Sequence, residues 1–124
     1  MVLRLFDKTS DSKELKYLQS KIKEFRVPIK LRNDQYILVM TLNNEYVSMT
    51  YYHQHNNLIE ICFIHTDLKF RKQGHSLKLV SDIIKKSKNI NYASVIILPG
   101  CGSDKLFTKL GFTFVGENHM ELIL

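Results

Sequence analysis

Two stretches of the chain carry apolar residues at the spacing of a helix. The first follows Asp11 and Glu14, which have the spacing of a capping box, and it ends before Val27 and Pro28. The second begins at Gly74 and has lysines on the face opposite its apolar residues. The apolar positions are Leu15, Leu18, Ile22 and Phe25 in the first stretch and Leu77, Val80, Ile83 and Ile84 in the second. Both patterns predict amphipathic helices.

Seven further stretches have the alternating or continuous apolar character of strands. They cover Val2–Phe6, which is short and suits a sheet edge, Gln35–Leu42, and residues 46–52, 58–65, 93–98, 112–115 and 119–124. Polar turns at 43–45 and 53–57 predict an antiparallel meander, and Ser103 and Gly111 are expected to cap a short third helix. The sequence therefore predicts an α/β fold of the α+β type, as a single domain over residues 1–124. We expect a mixed central sheet flanked by helices on both faces, in the order β-α-β-β-β-α-β-α-β-β.

The composition indicates a cytoplasmic globular protein. Of the 124 residues, 44% are hydrophobic and 24% are charged, which suits one modest core and one site. The longest apolar run is too short to span a membrane, and the N-terminus lacks the apolar stretch and small-residue cleavage site of a signal peptide. The two cysteines, Cys62 and Cys101, are not in CxxC spacing, so we expect no disulfide scaffold.

The chain is basic: eighteen Lys and Arg against twelve Asp and Glu give a net charge of +6. Such an excess is typical of proteins that bind nucleic acid, an acidic partner or a phosphate-bearing cofactor, and charge alone does not choose among them. The lysines at 85, 86 and 88 fit a solvated helix face better than a dedicated nucleic-acid patch. We therefore expect neither a membrane nor a nucleic-acid partner, and either a monomer or a homodimer.

A basic turn with a single glycine joins the fourth strand to the second helix. It is called the basic loop below and comprises Arg71, Lys72, Gln73, Gly74, His75 and Ser76. The start of a helix leaves backbone N–H groups unpaired and favours negative charge, and a glycine lets successive amides converge on one anion. The loop has neither P-loop nor GxGxxG spacing. It predicts a diphosphate site, and a plain strand-to-helix connection is the alternative.

The basic loop resembles the acetyl-CoA-binding motif of the GNAT acetyltransferases, Gln/Arg-x-x-Gly-x-Gly/Ala, with Ser76 at the last small position. A second stretch, LFTKLGF at residues 106–112, resembles the Leu-Tyr-x-Lys-x-Gly-Phe sequence near the end of that family's last helix. The resemblance covers residues 58–124 by motif and the remainder by element order. It implies an N-acetyltransferase that uses acetyl-CoA.

The fourth strand is similar to that of the histone-type acetyltransferases, in which a Glu-Ile-Val-Phe-like run stands at the same distance before the loop. Here EICF supplies Glu60, which the resemblance implies is the general base. It also implies that the backbone of Ile64, His65 and Thr66 pairs with the pantetheine arm as an added strand. A base is needed because a lysine amine, with a pKa near 10.4, is only about one part in a thousand neutral at pH 7.4. The alternative for Glu60 is a strand carboxylate in a surface ion pair.

Two positions depart from the family's pattern. Phe107 replaces the tyrosine that often protonates the departing CoA thiolate, and Gly100 replaces the asparagine that often precedes this helix. Phenylalanine has no proton to donate, so no general acid is assigned. We expect Phe107 to pack against the cofactor or the core.

Two histidines have a spacing that a metal site can use. His53 and His55 lie on one face if the strand continues through them. No third ligand follows at a recognisable spacing, so we expect a solvent-exposed turn and no metal.

The acceptor is not encoded in a readable motif. One N-terminal helix stands where many relatives have two, which favours an open acceptor side and a protein lysine or N-terminus over a small metabolite. Two alternatives remain: a CoA-binding protein of this fold that has lost catalysis, as Phe107 suggests, and a nucleic-acid-binding module that uses the lysine-rich helix.

Overall fold

The computed structural model describes residues 1–10, 12–90, 92–97, 107–116 and 119–124. Within these ranges the chain forms one seven-stranded sheet and two α-helices. The strands are β1 (Val2–Phe6), β2 (Gln35–Leu42), β3 (Glu45–His55), β4 (Leu58–Thr66), β5 (Ser94–Ile97), β6 (Thr113–Val115) and β7 (His119–Ile123), and the helices are α1 (Ser12–Lys23) and α2 (His75–Asn89). The sheet order is β1-β2-β3-β4-β5-β7-β6, in which β4 and β5 run parallel and the other neighbours antiparallel.

The predicted mixed sheet with a helix on each face is confirmed. Strand β1 stands at the end of the sheet order, as expected for an edge strand. The predicted third helix falls mostly outside the described residues, which resume with Phe107 and Thr108 in helical conformation. The predicted caps Asp11 and Ser103 lie outside them as well. In the described part, no helix combines the length and apolar character needed to cross a lipid bilayer.

Each face of the sheet packs on one helix. On the face called the α1 face, Leu18 and Ile22 are fully buried, and on the α2 face Leu79 and Val80 are fully buried. The α1-face core includes Leu15, Leu18, Ile22, Ile37, Val39 and Phe63, and the α2-face core includes Ile59, Ile61, Leu79, Val80, Ile83 and Val95. Burying one aliphatic side chain of this size contributes about 1.5–3 kcal/mol, so the two cores hold the sheet from both sides.

The end of α1 differs from the prediction. The helix ends at Lys23, so the helical prediction for Phe25 is wrong. Phe25 is 47% exposed, and its ring lies on that of His65 with the centroids 4.4 Å apart. The ring therefore packs beside β4 instead of joining the helix's buried stripe.

Two hairpins join β2, β3 and β4 through pairs of asparagines. Asn43 and Asn44 have φ angles of 52° and 64°, and Asn56 and Asn57 have φ angles of 48° and 64°. Positive φ at both central residues is typical of type I′ turns, and asparagine tolerates this conformation better than most residues. The second turn is shorter than the predicted 53–57 turn because β3 continues to His55. The prediction of a solvent-exposed turn at this histidine is therefore wrong.

His65 lies on the α1 face against two aromatic rings. Its ring centroid is 4.4 Å from that of Phe25 and 6.2 Å from that of Phe63. Burial lowers the pKa of His65 below its ordinary value of 6.5, and the charge of Arg71 adds to that effect. The folded protein therefore favours the neutral imidazole.

A glycine closes the turn that follows the helical residues 107–108. Gly111 has a φ of 96°, and its N–H donates to the Thr108 carbonyl oxygen at 3.0 Å. The N–H of Phe112 donates to the Phe107 carbonyl oxygen at 3.3 Å, which completes a Schellman arrangement. A Cβ added to Gly111 would stand 3.2 Å from Leu122 Cδ1. The predicted glycine C-cap is confirmed, and the backbone angle and the packing both disfavour a side chain there.

We expect Gly111→Ala to lower the free energy of unfolding by more than about 1 kcal/mol, because it adds backbone strain at positive φ and a tight contact with Leu122. Gly116→Ala is the matched control, since Gly116 also has a positive φ of 64° but no atom within 4 Å of an added Cβ. That control should show the strain cost alone. Urea unfolding of the two variants measures the difference, and equal losses would contradict the packing argument.

The free energy of unfolding should depend on pH through His65. The unfolded chain binds the His65 proton more tightly than the folded protein does, so the stability associated with this neutral group is complete above pH 6.5 and is lost as the pH falls below that value. Between about pH 7.5 and about pH 5, the free energy of unfolding should therefore fall more steeply for the wild type than for His65→Gln. Urea titrations at the two pH values measure this. Parallel slopes for the wild type and His65→Gln would refute the assignment.

Candidate active site

Strand β4 carries most of the predicted site. Glu60 pairs in register with His53 of β3 and with Ile96 of β5. Because its neighbours in the strand point into the α2-face core, Glu60 points to the α1 face. Its side chain is 26% exposed, and its Oε2 lies 3.6 Å from His55 Nε2. A partly exposed carboxylate in the middle of the sheet is thus available to a molecule bound on the α1 face.

A β-bulge follows Glu60. Tyr51 pairs with Phe63 and Tyr52 with Ile61, which leaves Cys62 as the extra residue of β4. Cys62 and Phe63 both pack on the α1-face core, so the alternation of side chains shifts by one from this point. A bulge also bends its strand. The described pairing between β4 and β5 ends at Ile61, immediately before the bend.

The shift decides where the predicted pantetheine-binding residues point. Ile64 packs against the α2-face core, and His65 lies on the α1 face beside Phe25. Thr66 points to the α2 face, where its Oγ1 lies 2.8 Å from Ser76 Oγ at the start of α2. Without the bulge, Thr66 would point to the opposite face.

Three hydroxyl groups connect β3, β4 and α2 in one chain of hydrogen bonds. Ser48 Oγ donates to the His65 carbonyl oxygen at 2.9 Å, and Thr66 Oγ1 lies 2.9 Å from Ser48 Oγ. A hydroxyl has one proton, and Ser48 uses its own on the carbonyl, so Thr66 donates to Ser48 and Ser76 donates to Thr66. The chain ties the first turn of α2 to the sheet and leaves the Ser76 oxygen as an acceptor.

The basic loop makes two left-handed turns within three residues. Lys72 has a φ of 64°, and Gly74, the N-cap of α2, has a φ of 78°. The left-handed conformation costs a lysine about 1 kcal/mol, and backbone strain of this kind is concentrated at functional sites. The N–H of Lys78 donates to the Gly74 carbonyl oxygen at 3.0 Å, as the first bond of the helix. The first backbone N–H groups of an α-helix have no carbonyl partner within the helix, so other acceptors can bind them.

The side chains of the loop are held in different ways. Arg71 Nε donates to the Thr66 carbonyl oxygen at 3.1 Å, which uses one of the five guanidinium donors. His75 is 9% exposed, and its Nε2 lies 3.2 Å from Gln73 Oε1. The Arg71 and Lys72 side chains are both exposed, so two positive charges stand at a helix N-terminus. This combination of charge and backbone donors fits an anion such as a diphosphate.

Phe107 lies in the protein core. Its side chain is 2% exposed and packs edge-on against Phe112, with ring centroids 6.1 Å apart. We expected Phe107 to pack against the cofactor or the core, and its described contacts are with the core. Gly100, at the family's asparagine position, lies outside the described residues.

A cavity of about 150 Å³ lies on the α1 face between the end of α1 and the end of β4. Its lining includes Tyr17, Glu24, Phe25, Tyr46, His65 and Asp67. Burial and a hydrogen bond to Glu14 raise the pKa of Tyr46 to about 12, so its hydroxyl stays protonated and donates to that carboxylate at 2.7 Å. The cavity thus combines aromatic surface with two carboxylates and the ammonium group of Lys21, whose Nζ lies 3.9 Å from Glu24 Oε2.

Sequence reasoning missed several residues of this region. The Ser48 hydroxyl, the bulge at Cys62 and the approach of His55 to Glu60 all depend on strand register, which the sequence does not state. Glu121 of β7 was also missed: it pairs with Ile96, which pairs with Glu60, so two carboxylates stand about 10 Å apart in one row across the sheet. The basic loop at the start of α2 was predictable from the sequence, because its charges and its glycine are local signals.

Comparison with known proteins identifies a family for this chain. The model of the acetyltransferase (GNAT) domain family matches residues 7–121. A comparison with curated proteins gave no match.

Several solved structures share the fold. Tetrahymena GCN5 superposes with a TM-score of 0.79 at 14% identity, over 99% of this chain and 96% of that chain. A GNAT family acetyltransferase from Elizabethkingia anophelis with acetyl-CoA bound gives 0.71 at 18% identity, over 99% and 97%. The ribosomal-protein-S18-alanine N-acetyltransferase from Escherichia coli gives 0.74 at 13% identity, over 98% and 94%. At these identities the likeness is one of fold.

The family match spans nearly all of the chain, including the residues of β4 and of the basic loop. The sequence motifs and the sheet order agree with it. The chain therefore belongs to the GNAT family of acetyl-CoA-dependent N-acetyltransferases.

Proposed function

We propose that this acetyltransferase transfers the acetyl group of acetyl-CoA to the primary amine of a protein, either a lysine side chain or an N-terminus. The observation that carries the proposal is the placement of Glu60 and the basic loop along one strand, on either side of the bulge at Cys62. The strand rises about 3.3 Å per residue, so about 20 Å separates Glu60 from the end of β4. If the diphosphate of acetyl-CoA binds at the basic loop, its extended pantetheine arm therefore has to run back along β4 towards the bulge to bring the thioester near Glu60.

The loop would hold the diphosphate of acetyl-CoA. Backbone N–H groups at the start of α2 would donate to its oxygens, and the Arg71 and Lys72 side chains would supply positive charge. Ser76 would contribute its backbone amide, since its hydroxyl proton is engaged by Thr66. Backbone groups of residues 64–66 would pair with the pantetheine arm as an added strand.

Glu60 would act as the base. An ammonium group on the acceptor is unreactive, and transfer of its proton to Glu60, directly or through a water molecule, frees the nitrogen lone pair. The nitrogen then attacks the thioester carbonyl and the carbon–sulfur bond breaks. A second proton leaves the nitrogen to solvent as the amide forms. The partly exposed position of Glu60 on the α1 face supports this role, because an acceptor can reach it there.

Protonation of the departing thiolate is assigned to solvent. Phe107 occupies the family's tyrosine position, is buried and has no proton to give. A CoA thiolate is a good enough leaving group to depart without a side-chain acid. Phe107 alone therefore gives no reason to prefer a catalytically inactive CoA-binding protein.

The α1 face suits a cationic acceptor. The cavity beside His65 offers the carboxylate of Asp67 to an ammonium group and the ring of Phe25 to its methylene stem. Lys21, in the same lining, already lies 3.9 Å from Glu24 and over the Tyr17 ring. Glu121 adds a further negative charge to this face. The similar E. coli enzyme is named for an alanine of a ribosomal protein, which is consistent with a protein acceptor in this fold.

The diphosphate assignment predicts that Arg71→Ala raises the Kd for CoA by about 10- to 150-fold, since a charge-assisted hydrogen bond contributes about 1.5–3 kcal/mol. Gly74→Glu should weaken binding more, because it places a negative charge at the anion site. Isothermal titration with CoA measures both. Gly74→Ala separates the cost of positive φ from that of charge, since an added Cβ at Gly74 meets no atom within 4 Å.

Lys85→Ala is the control for Arg71→Ala, because it removes one positive charge from the exposed face of the same helix. It should leave the Kd within about twofold of wild type. Equal weakening by the two variants would show that only the overall positive field matters, and would count against the loop as a specific site.

The base assignment predicts that Glu60→Gln lowers kcat/KM about 10²- to 10⁴-fold while leaving the Kd for CoA unchanged. The remaining rate should rise with pH, as more of the acceptor amine becomes neutral. A thiol-release assay with lysine-containing and N-terminal peptides measures this. Glu45→Gln, in the exposed β2–β3 hairpin, is the control. Undiminished transfer by Glu60→Gln would remove Glu60 as the base, and no transfer by wild type to any amine would favour a non-catalytic CoA-binding protein.

A further inference from the structure

Three side chains with metal-binding atoms converge at the end of the β3–β4 hairpin. One nitrogen each of His53 and His55 and one carboxylate oxygen of Glu60 all lie within 4.8 Å of one another. All three residues are partly buried. The two histidines had no third ligand at a recognisable spacing in the sequence, and the fold supplies one from the next strand.

Strand register produces this arrangement. His53 and His55 are two residues apart in β3 and therefore point to the same face. Glu60 is the cross-strand partner of His53, so it shares that face. The short turn at Asn56 and Asn57 keeps the two strands paired to the end, which fixes the three side chains on one small patch.

One atom of the patch lacks a partner. His55 Nε2 is buried and accepts or donates no hydrogen bond within the described part of the chain. Glu60 Oε2 lies 3.6 Å from this nitrogen, which is too long for a hydrogen bond. A buried polar atom left in this state costs about 1–3 kcal/mol, and a bound cation would remove that cost.

The donor set is that of a transition metal. Two imidazole nitrogens and one carboxylate oxygen are ligands that Zn²⁺ accepts, with water in the fourth position. Donors about 2.1 Å from a tetrahedral ion stand about 3.4 Å apart, so separations of up to 4.8 Å have to close by up to about 1.4 Å. The rings of His53 and His55 are stacked with centroids 4.4 Å apart, so one ring has to rotate as the site closes for both nitrogens to face one ion.

We propose that His53, His55 and Glu60 form a binding site for Zn²⁺ on the α1 face. If Glu60 is the base, as proposed above, an ion held there occupies the carboxylate that must accept the acceptor's proton. Zinc then inhibits acetyl transfer without displacing acetyl-CoA from the basic loop. The site itself depends only on the three side chains and not on the catalytic role of Glu60.

Isothermal titration of ZnCl₂ into tag-free full-length protein tests the site directly. Wild type should bind one ion, and His55→Ala should raise the Kd at least about tenfold, as should Glu60→Gln. His119→Ala, which removes a histidine from the same face on β7, should bind as wild type does. Circular dichroism confirms that the variants are folded. No binding at millimolar zinc, or a Kd that His55→Ala leaves unchanged, overturns the proposal.

Activity separates this inference from the proposed function. Zinc should lower the transfer rate of wild type and should lower that of His55→Ala less, at equal acetyl-CoA saturation. Binding of zinc without inhibition would overturn the regulatory consequence while supporting the metal site. Full activity of Glu60→Gln in the absence of zinc would overturn the catalytic role of Glu60 and leave the titration as the test of the site.

Discussion

The β-bulge at Cys62 is the constraint on which the site depends, because β4 has to serve two cores and a functional surface at once. Before the bulge, alternation sends Ile61 into the α2-face core and Glu60 to the α1 face. After it, the alternation is shifted by one residue, so Thr66 reaches the α2 face and meets Ser76. A regular strand would place either the carboxylate or the hydroxyl on the wrong side of the sheet.

The start of α2 is positioned by polar contacts, and this matters because anion binding requires donors that do not reorganise. The hydroxyl chain from Ser48 through Thr66 to Ser76 fixes the first turn of the helix against β3 and β4. Arg71 adds a bond from the loop back to the Thr66 carbonyl oxygen. These bonds support the left-handed backbone of the basic loop, which is costly in isolation. Ser76, which stands where the family has Gly or Ala, thus has a structural role in this chain.

The basic loop at the start of α2 concentrates positive charge, whereas the α1 face carries charges of both signs. Glu60 and Glu121 flank Ile96 in one row across the sheet, and burial favours the neutral form of His65. Lys21 lines the cavity on the same face. The positive charge of the basic loop suits an anionic thioester substrate. The partly exposed carboxylate of Glu60 also lies 3.6 Å from His55 Nε2 and close to His53, the grouping on which the proposed metal site rests.

Local signals in the sequence determined the order of strands and helices, the glycine cap at Gly111 and the position of the basic loop, because each depends on residues close together in the chain. The length of β3, the exposure of Phe25 and the placement of Phe107 in the core did not follow from those signals. Only the tertiary structure decided the bulge, the hydroxyl chain and the meeting of His55 with Glu60. The physical reason is register: a shift of one residue between paired strands leaves every local pattern unchanged and reverses which side chains share a face.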